Sequence, residues 1–289
     1  MRILMTGASG LLGSEFLHQF GNDYDISVLT RDHNYINKGN EQKIYCDLSL
    51  PWDMEVLPKN IDVVVILAQE REYRAFPTNS NNIFMVNVYS VQRLLEYAQK
   101  MKAVKVIYAS TGGIYKEQME ALKENSALRN TLDLSFYFST KLAGEGLVSA
   151  YKNEFNITIM RPFFIYGKKQ NQNNLLANLY KKIVSNEFVV LNGSEGIRIN
   201  PINVRDAAVG LNELIRGNHN SVINLAGTEI ITIRELSAYI GDLVGKVPNF
   251  IHEESKNDLI ADSSKLQDIL HGHKWTLLRE GVEQCFSKK

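Results

Sequence analysis

The chain opens with an apolar run, Ile3-Leu4-Met5, that ends in the turn Thr6-Gly7-Ala8-Ser9-Gly10-Leu11-Leu12-Gly13 and passes straight into a helical pattern over 11–20. A strand that feeds a helix through a tight glycine turn is the first half of a βαβ unit, and the alternation then continues. Ile26-Ser27-Val28-Leu29-Thr30 and Lys43-Ile44-Tyr45-Cys46 read as the second and third strands. Residues 61–68 are almost continuously apolar, as in a strand covered on both faces of a parallel sheet. An amphipathic helix over 83–101, a strand at 105–109, a helix ending near 154 and a strand at 157–160 follow. Right-handed crossovers between such strands give a doubly wound α/β sheet.

After about 165 the pattern changes. Asn and Lys dominate 168–182, a composition of loops and exposed helix. A strand near 187–191, a helix near 206–216, a strand at 221–225 and a helix near 232–244 are shorter and mixed in kind. The expected organisation is one domain over 1–164 and a smaller mixed lobe over 165–289, with chain crossings back to the main sheet allowed.

Lys plus Arg and Asp plus Glu are equal at 32 each, which gives no bulk attraction to nucleic acid or an anionic membrane. No apolar run is long enough to span a bilayer or to form a signal peptide. Cys46 and Cys285 lie far apart, which argues for a reducing, cytoplasmic setting and against a cysteine zinc site. The six His have no paired spacing with carboxylate or Cys companions, so no metal site is expected.

Three features carry chemistry. In the first turn Gly7 permits the sharp bend, Gly10 lets backbone approach a pyrophosphate, and Gly13 allows close packing of helix on strand. The helix start offers free N–H groups and a positive dipole end to phosphates. The second strand ends in Thr30-Arg31 where an Asp or Glu binds the ribose 2′-OH of NAD. A guanidinium there suits a 2′-phosphate, which favours NADP, with NAD the other reading. Finally, Tyr137 and Lys141 lie four residues apart, on one helix face. A phenol near its free pKa of ~10 is a poor acid or base at neutral pH, and a fixed cation beside it lowers that value. Such a pair can move a proton on and off a hydroxyl or carbonyl oxygen.

With these motifs the chain resembles the extended short-chain dehydrogenase/reductase family, also called the NAD-dependent epimerase/dehydratase family, over nearly its whole length. Cys46-Asp47-Leu48 looks like the family's Asp-Leu after the third strand, and Leu67-Ala68 like its Leu-Ala-Ala, with Gln69 in place of the second Ala. Asn87 stands where the family has a mid-helix Asn, Ser110-Thr111 resembles its Ser-Ser/Thr segment, and Leu142-Ala143-Gly144-Glu145 its helix tail. Arg161-Pro162 with Tyr166-Gly167, and Asn203-Val204-Arg205-Asp206, resemble two later segments. The resemblance implies a Rossmann-type sheet with a substrate lobe. It implies a cofactor held by Gly7, Ser9, Gly10, Leu11, Leu12, Gly13, Thr30, Arg31, Asp47, Leu48, Leu67 and Ala68, together with Tyr137 and Lys141. Thr111 would bind the substrate oxygen, with Ser110 its rival, Tyr137 would exchange the proton, and Lys141 would hold the nicotinamide ribose and lower the Tyr pKa. A homodimer built on helices 83–101 and 134–154 is also implied.

The chain departs from the family at three places. Gly112-Gly113 replaces the Asp-Glu of the dehydratases, which argues against sugar 4,6-dehydration. Phe164 stands where many nucleotide-sugar enzymes have a diphosphate-binding Asn. The usual diphosphate Arg falls on Ile199, with Arg198 adjacent. Phe164 and Arg198 are therefore the candidate substrate contacts. Phe163 and Phe164 could equally line a pocket for a less charged ketone or alcohol, but core packing is the better reading of both, and Lys168, Lys169 and Arg205 are further candidate cations. The expected function is an NAD(P)-dependent epimerase or ketoreductase of a nucleotide-activated sugar, working through Thr111, Tyr137 and Lys141. The alternatives are an NADPH-dependent reductase of a non-sugar carbonyl and a non-catalytic cofactor sensor.

Overall fold

A computed structural model describes residues 1–286 and divides them into two compact units. The first holds 1–114, 128–161 and 208–223; the second holds 115–127, 162–207 and the chain from 224 onward. The boundary expected at 164/165 is thus crossed by two excursions, one in each direction.

The first unit is built from β1 (Arg2–Thr6), α1 (Leu11–Phe20), β2 (Asp25–Thr30), β3 (Gln42–Tyr45), β4 (Val63–Ile66), α2 (Ser80–Phe84), α3 (Ser90–Lys100), β5 (Lys105–Ala109), α4 (Phe136–Ala150) and β6 (Asn156–Pro162). β11 (Ser221–Leu225) completes a seven-stranded sheet of order β11-β6-β5-β4-β1-β2-β3. The order reverses between β1 and β4, the switch point at which doubly wound sheets open a ligand crevice beyond the strand carboxyl ends. Every residue of β4 is buried, because alternate side chains face covered layers on both sides. Val64 and Ile66 pack with Leu94, Leu95, Ala98 and Val148 of α3 and α4, whereas Val63 and Val65 are buried on the opposite face.

Three elements differ from the sequence expectation. The strand expected over 61–68 spans Val63–Ile66, and beyond it the Ala68 N–H bonds to the Thr6 hydroxyl instead of to a neighbouring strand's backbone. The helix expected over 83–101 is interrupted by a π-turn at Met85–Tyr89, whose widened backbone brings Asn87 inward until it is 1% exposed. The helix expected to reach 154 ends at Ala150, where Tyr151 and Phe155 stack at 5.6 Å and turn the chain toward β6.

Two buried charges tie the first unit together. The Lys105 ammonium donates to the Leu214 and Ile215 carbonyls at 3.0 and 2.8 Å, and also to that of Gly217, closing the end of α6 (Val204–Arg216). The Arg161 guanidinium grips Glu145 of α4 through two bonds of 2.9 and 2.7 Å, both side chains being almost fully buried.

The second unit packs β7 (Ile165–Tyr166), α5 (Leu175–Val184), β8 (Phe188–Asn192), β9 (Arg198–Ile199), β10 (Ile202–Asn203), β12 (Ile231–Thr232), α7 (Ile233–Val244), β13 (Asn249–Glu253), α8 (Ser264–Ile269) and α9 (Leu278–Phe286). Its strands pair two by two, β7 with β10, β9 with β12 and β8 with β13. These pairs surround an apolar cluster that includes Tyr166, Leu179, Leu191, Ile199, Leu236 and Val282. Among the described residues no helix is long and apolar enough to cross a membrane.

Removing one partner of a buried, doubly bonded ion pair leaves the other charge without its counterion. E145A is therefore expected to cost about 3–5 kcal/mol in urea unfolding. The double replacement E145M/R161M is expected to recover most of that loss.

Candidate active site

The glycine turn has a steric cause that can be read atom by atom. Gly7 has φ +75°, and a Cβ there would lie 2.8 Å from both the Ala68 nitrogen and the Leu67 carbonyl carbon, at the end of β4. A Cβ on Gly13 would meet the Gly7 oxygen at 2.4 Å, so the first turn of α1 rests directly on the loop. The Thr6 hydroxyl, fully buried, accepts the Ala68 N–H at 3.1 Å and ties the ends of β1 and β4 together. Ser9 and Gly10 are exposed at the tip, and no side chain caps α1 at Gly10. Its first-turn N–H groups are left to an anion, with a helix dipole behind them. This cradle, which any side chain at Gly7 or Gly13 would fill, fits the phosphates of a dinucleotide.

The ends of β2 and β3 border the same crevice. The Thr30 hydroxyl accepts the Asp32 N–H at 3.1 Å, shaping the loop. Arg31 reaches Glu70 at 3.5 Å. One carboxylate oxygen of Asp47 accepts from the Ser49 N–H and hydroxyl at 2.9 and 2.7 Å, and the Leu48 side chain packs into the core.

Tyr137 stands in the first turn of α4, whose N-cap is Ser135. Its phenol donates to Gln69 Oε1 at 2.8 Å, its ring packs on Tyr73 at 4.4 Å, and its hydroxyl also interacts with the Thr111 side chain. Thr111 Oγ1 in turn accepts the Gly113 N–H at 3.2 Å. Ser110 is buried, and its hydroxyl has no hydrogen-bond partner. A relay of bonds fixes the helix: the Glu70 N–H donates to Asn87 at 3.2 Å, Asn87 to Thr140 at 3.0 Å, and Thr140 to the Tyr137 carbonyl at 2.8 Å. Tyr73, Arg74 and Glu70 escaped the sequence reading, and Gln69 gave only the signal of standing where the family pattern has Ala.

Burial dominates the electrostatics here. It pushes the Tyr137 phenol well above its ordinary value, while the Thr111 contact and the Arg74 charge pull it down. Lys141 is fully enclosed, with its ammonium 4.8 Å from the centre of the Tyr108 ring. Burial brings its pKa down to about 7 against the raising influence of Glu145. The groups acting on the phenol are thus on neighbouring loops, and Lys141 is itself drawn toward neutrality.

Gly113 is closed in by its neighbour, because a Cβ there would sit 2.3 Å from the Phe138 ring. In the second unit Phe164 adopts a left-handed φ of +44°, rare for an aromatic, and its ring packs against the apolar cluster. Arg198 is engaged with Asp258, its Nε donating at 2.8 Å and its backbone N–H at 2.7 Å. Ile199 is fully buried. Among the described residues no cluster of His, Cys, Asp or Glu could hold a metal.

A sheet reversed at β1/β4, with a phosphate cradle there and a Tyr-x-x-x-Lys helix in the same unit, defines the class: a Rossmann-type dinucleotide-binding enzyme fold. The family model for the NAD dependent epimerase/dehydratase family matches residues 3–226, and the chain belongs to that family. It is similar to the uncharacterized UDP-glucose epimerase YtcB of Bacillus subtilis, 26% identical across 98% of this chain and 96% of the relative. It is also similar to the GDP-6-deoxy-D-talose 4-dehydrogenase of Aggregatibacter actinomycetemcomitans, 25% identical across 100% and 98%. Among solved structures, the UDP-glucuronic acid 4-epimerase of Bacillus cereus, in complex with UDP-glucuronic acid and NAD, superposes with a TM-score of 0.83. The two are 26% identical over 98% of this chain and 97% of that one.

Two outcomes test this geometry. G7A is expected to lose at least about 1–2 kcal/mol in chemical unfolding, because the added Cβ meets backbone and φ is positive. For Lys141 the folded pKa lies below the unfolded one, so between about 7 and 10.5 the unfolded chain binds the extra proton. Raising the pH through that window stabilises the native protein. K141M is therefore expected to be more stable than wild type at neutral pH, with the advantage shrinking toward pH ~10 in parallel unfolding curves.

Proposed function

We propose that the protein is an NAD(P)-dependent epimerase or ketoreductase of a nucleotide-activated sugar. The observation that carries this reading is the helix bearing Tyr137 and Lys141, anchored through Thr140 and Asn87 to the loop that leaves the dinucleotide crevice, with the Tyr137 phenol bonded to Gln69 of that loop. When bound, the nicotinamide supplies hydride acceptance or donation at the sugar carbon. The chain's part is to hold the oxygen and move its proton. The Thr111 hydroxyl orients the substrate oxygen, and the Tyr137 phenol gives it a proton or takes one. Burial holds that phenol in its neutral, proton-bearing form, and the Thr111 side chain and the Arg74 charge act in the opposite direction, toward the lower value that proton transfer needs. Lys141, inside the same helix, holds the ribose. Phe164, packed on the apolar cluster, and Arg198, paired with Asp258, lend no support to their reading as substrate contacts.

The epimerases and the sugar dehydrogenase among the relatives support this substrate class and do not favour a non-sugar carbonyl. Steric closure at Gly113 supports the exclusion of dehydratase chemistry, because an acid at that position would have to displace Phe138. For the cofactor, Arg31 supports the phosphorylated dinucleotide read from the sequence, whereas its pairing with Glu70 and the NAD in related structures support NAD. We take NAD as the resident cofactor. The unpaired Cys46 and Cys285 support a cytoplasmic location, and the exposed small residues Ala143, Gly146 and Ala150 on α4 support a dimer through that helix.

A thermal-shift panel of UDP-, GDP-, CDP- and dTDP-sugars with NAD and with NADP tests the substrate class. At least one sugar nucleotide is expected to raise the melting temperature in the presence of cofactor; silence across the panel would sink this reading. Y137F is expected to keep cofactor binding and lose turnover by a factor of about 10²–10⁴.

A further inference from the structure

β1 lies between β2 and β4, with Thr6 opposite Leu29 on one side and Ile66 on the other. Arg31 follows Leu29 by two residues and Glu70 follows Ile66 by four. Their ion pair at 3.5 Å therefore spans strands that stand about 10 Å apart, across the carboxyl end of β1 and above the glycine turn. The two partners are not equivalent. The Glu70 side chain is 7% exposed and that of Arg31 43%. Glu70 is also anchored through its own N–H to Asn87, and its second carboxylate oxygen accepts the Glu72 N–H at 3.4 Å. The carboxylate is the fixed member and the guanidinium the movable one.

We propose that Glu70 determines the cofactor preference: by holding Arg31 over β1 it turns the crevice against a 2′-phosphate and toward the unphosphorylated dinucleotide. The inference rests on the reading of the glycine turn as a dinucleotide site. A 2′-phosphate that binds Arg31 meets one of two costs. It can sit beside the pair and face a like charge on Glu70, or it can take the guanidinium away and leave a buried carboxylate without its cation. A ribose with a free 2′-hydroxyl meets neither, since a hydroxyl both donates and accepts and can address the intact pair. An arginine at the end of the second strand thus does not by itself mean NADP here.

The test is calorimetric binding of 2′,5′-ADP and 5′-ADP, fragments with and without the 2′-phosphate, to the full chain. E70Q keeps the shape and the acceptor oxygen of Glu70 while removing its charge. It is expected to tighten 2′,5′-ADP by about tenfold and to leave 5′-ADP within about twofold. R31A/E70Q is expected to erase that gain, which places the effect on the guanidinium. E70A repeats the test with the side chain truncated and is expected to change the ratio in the same direction. An unchanged ratio of the two fragments in both single variants, or a gain that survives loss of Arg31, overturns the proposal. Failure of wild type to bind either fragment would instead remove the dinucleotide reading on which it stands.

Discussion

The turn between β1 and α1 presses so closely on the end of β4 that no Cβ fits between them. A Cβ added to Gly7, at φ +75°, would lie 2.8 Å from backbone atoms of Leu67 and Ala68. This approach lets β1 and β4 pair in register while the chains leaving them diverge, α1 to one face and the loop from Leu67 into the crevice. The phosphate cradle is one consequence. Another is the starting point of the 67–79 segment, which sets where Gln69, Glu70 and Tyr73 fall. A wider turn at Gly7 would displace the cradle and those side chains together.

From that starting point the segment after β4 serves both ends of the crevice. Glu70 takes Arg31 from β2 with its side chain, while its backbone N–H begins the chain of bonds through Asn87 and Thr140 to Tyr137. Gln69, one residue earlier, takes the Tyr137 phenol directly. Adjacent positions of this segment thus address opposite ends of the site, Gln69 the Tyr137 phenol and Glu70 the Arg31 guanidinium. The π-turn at Met85–Tyr89 belongs to the same device, because it turns Asn87 inward to receive the Glu70 N–H. A regular helix through 85–89 would shift Asn87 around the axis and open the relay.

This explains what the sequence could and could not reveal. The glycine turn, the buried β4 run and the Tyr137/Lys141 spacing are local patterns, fixed by sterics and periodicity within a few residues, and they were legible. Arg31 with Glu70, and Tyr137 with Gln69, join positions 39 and 68 residues apart, and no local rule predicts such contacts. The sequence shows Arg31 as a guanidinium suited to a 2′-phosphate and gives no sign of Glu70, because that partner lies two strands away across β1. The helix over 83–101 was legible in its apolar face but not in its interruption, since a π-turn changes no residue type. Lys141 was legible as a cation by identity, but its burial depends on the packing of α4 against β5, and that packing governs its charge.

Burial sets the resting state of Tyr137 and Lys141. It raises the phenol of Tyr137 and lowers the ammonium of Lys141, so enclosure pushes both toward their neutral forms. An ammonium kept enclosed gains more from a new hydrogen-bond acceptor than one already solvated, because water is not there to compete. A ribose hydroxyl reaching Lys141 would therefore favour its charged form, and that charge would act on a phenol a single helical turn away. Arg74 already pulls the phenol in the same direction from the loop after β4, with Thr111 at the strand end opposite. Enclosure would thus let the proton affinity of Tyr137 respond to a charge held on Lys141, and the loop from Leu67 onward reaches the phenol through Gln69.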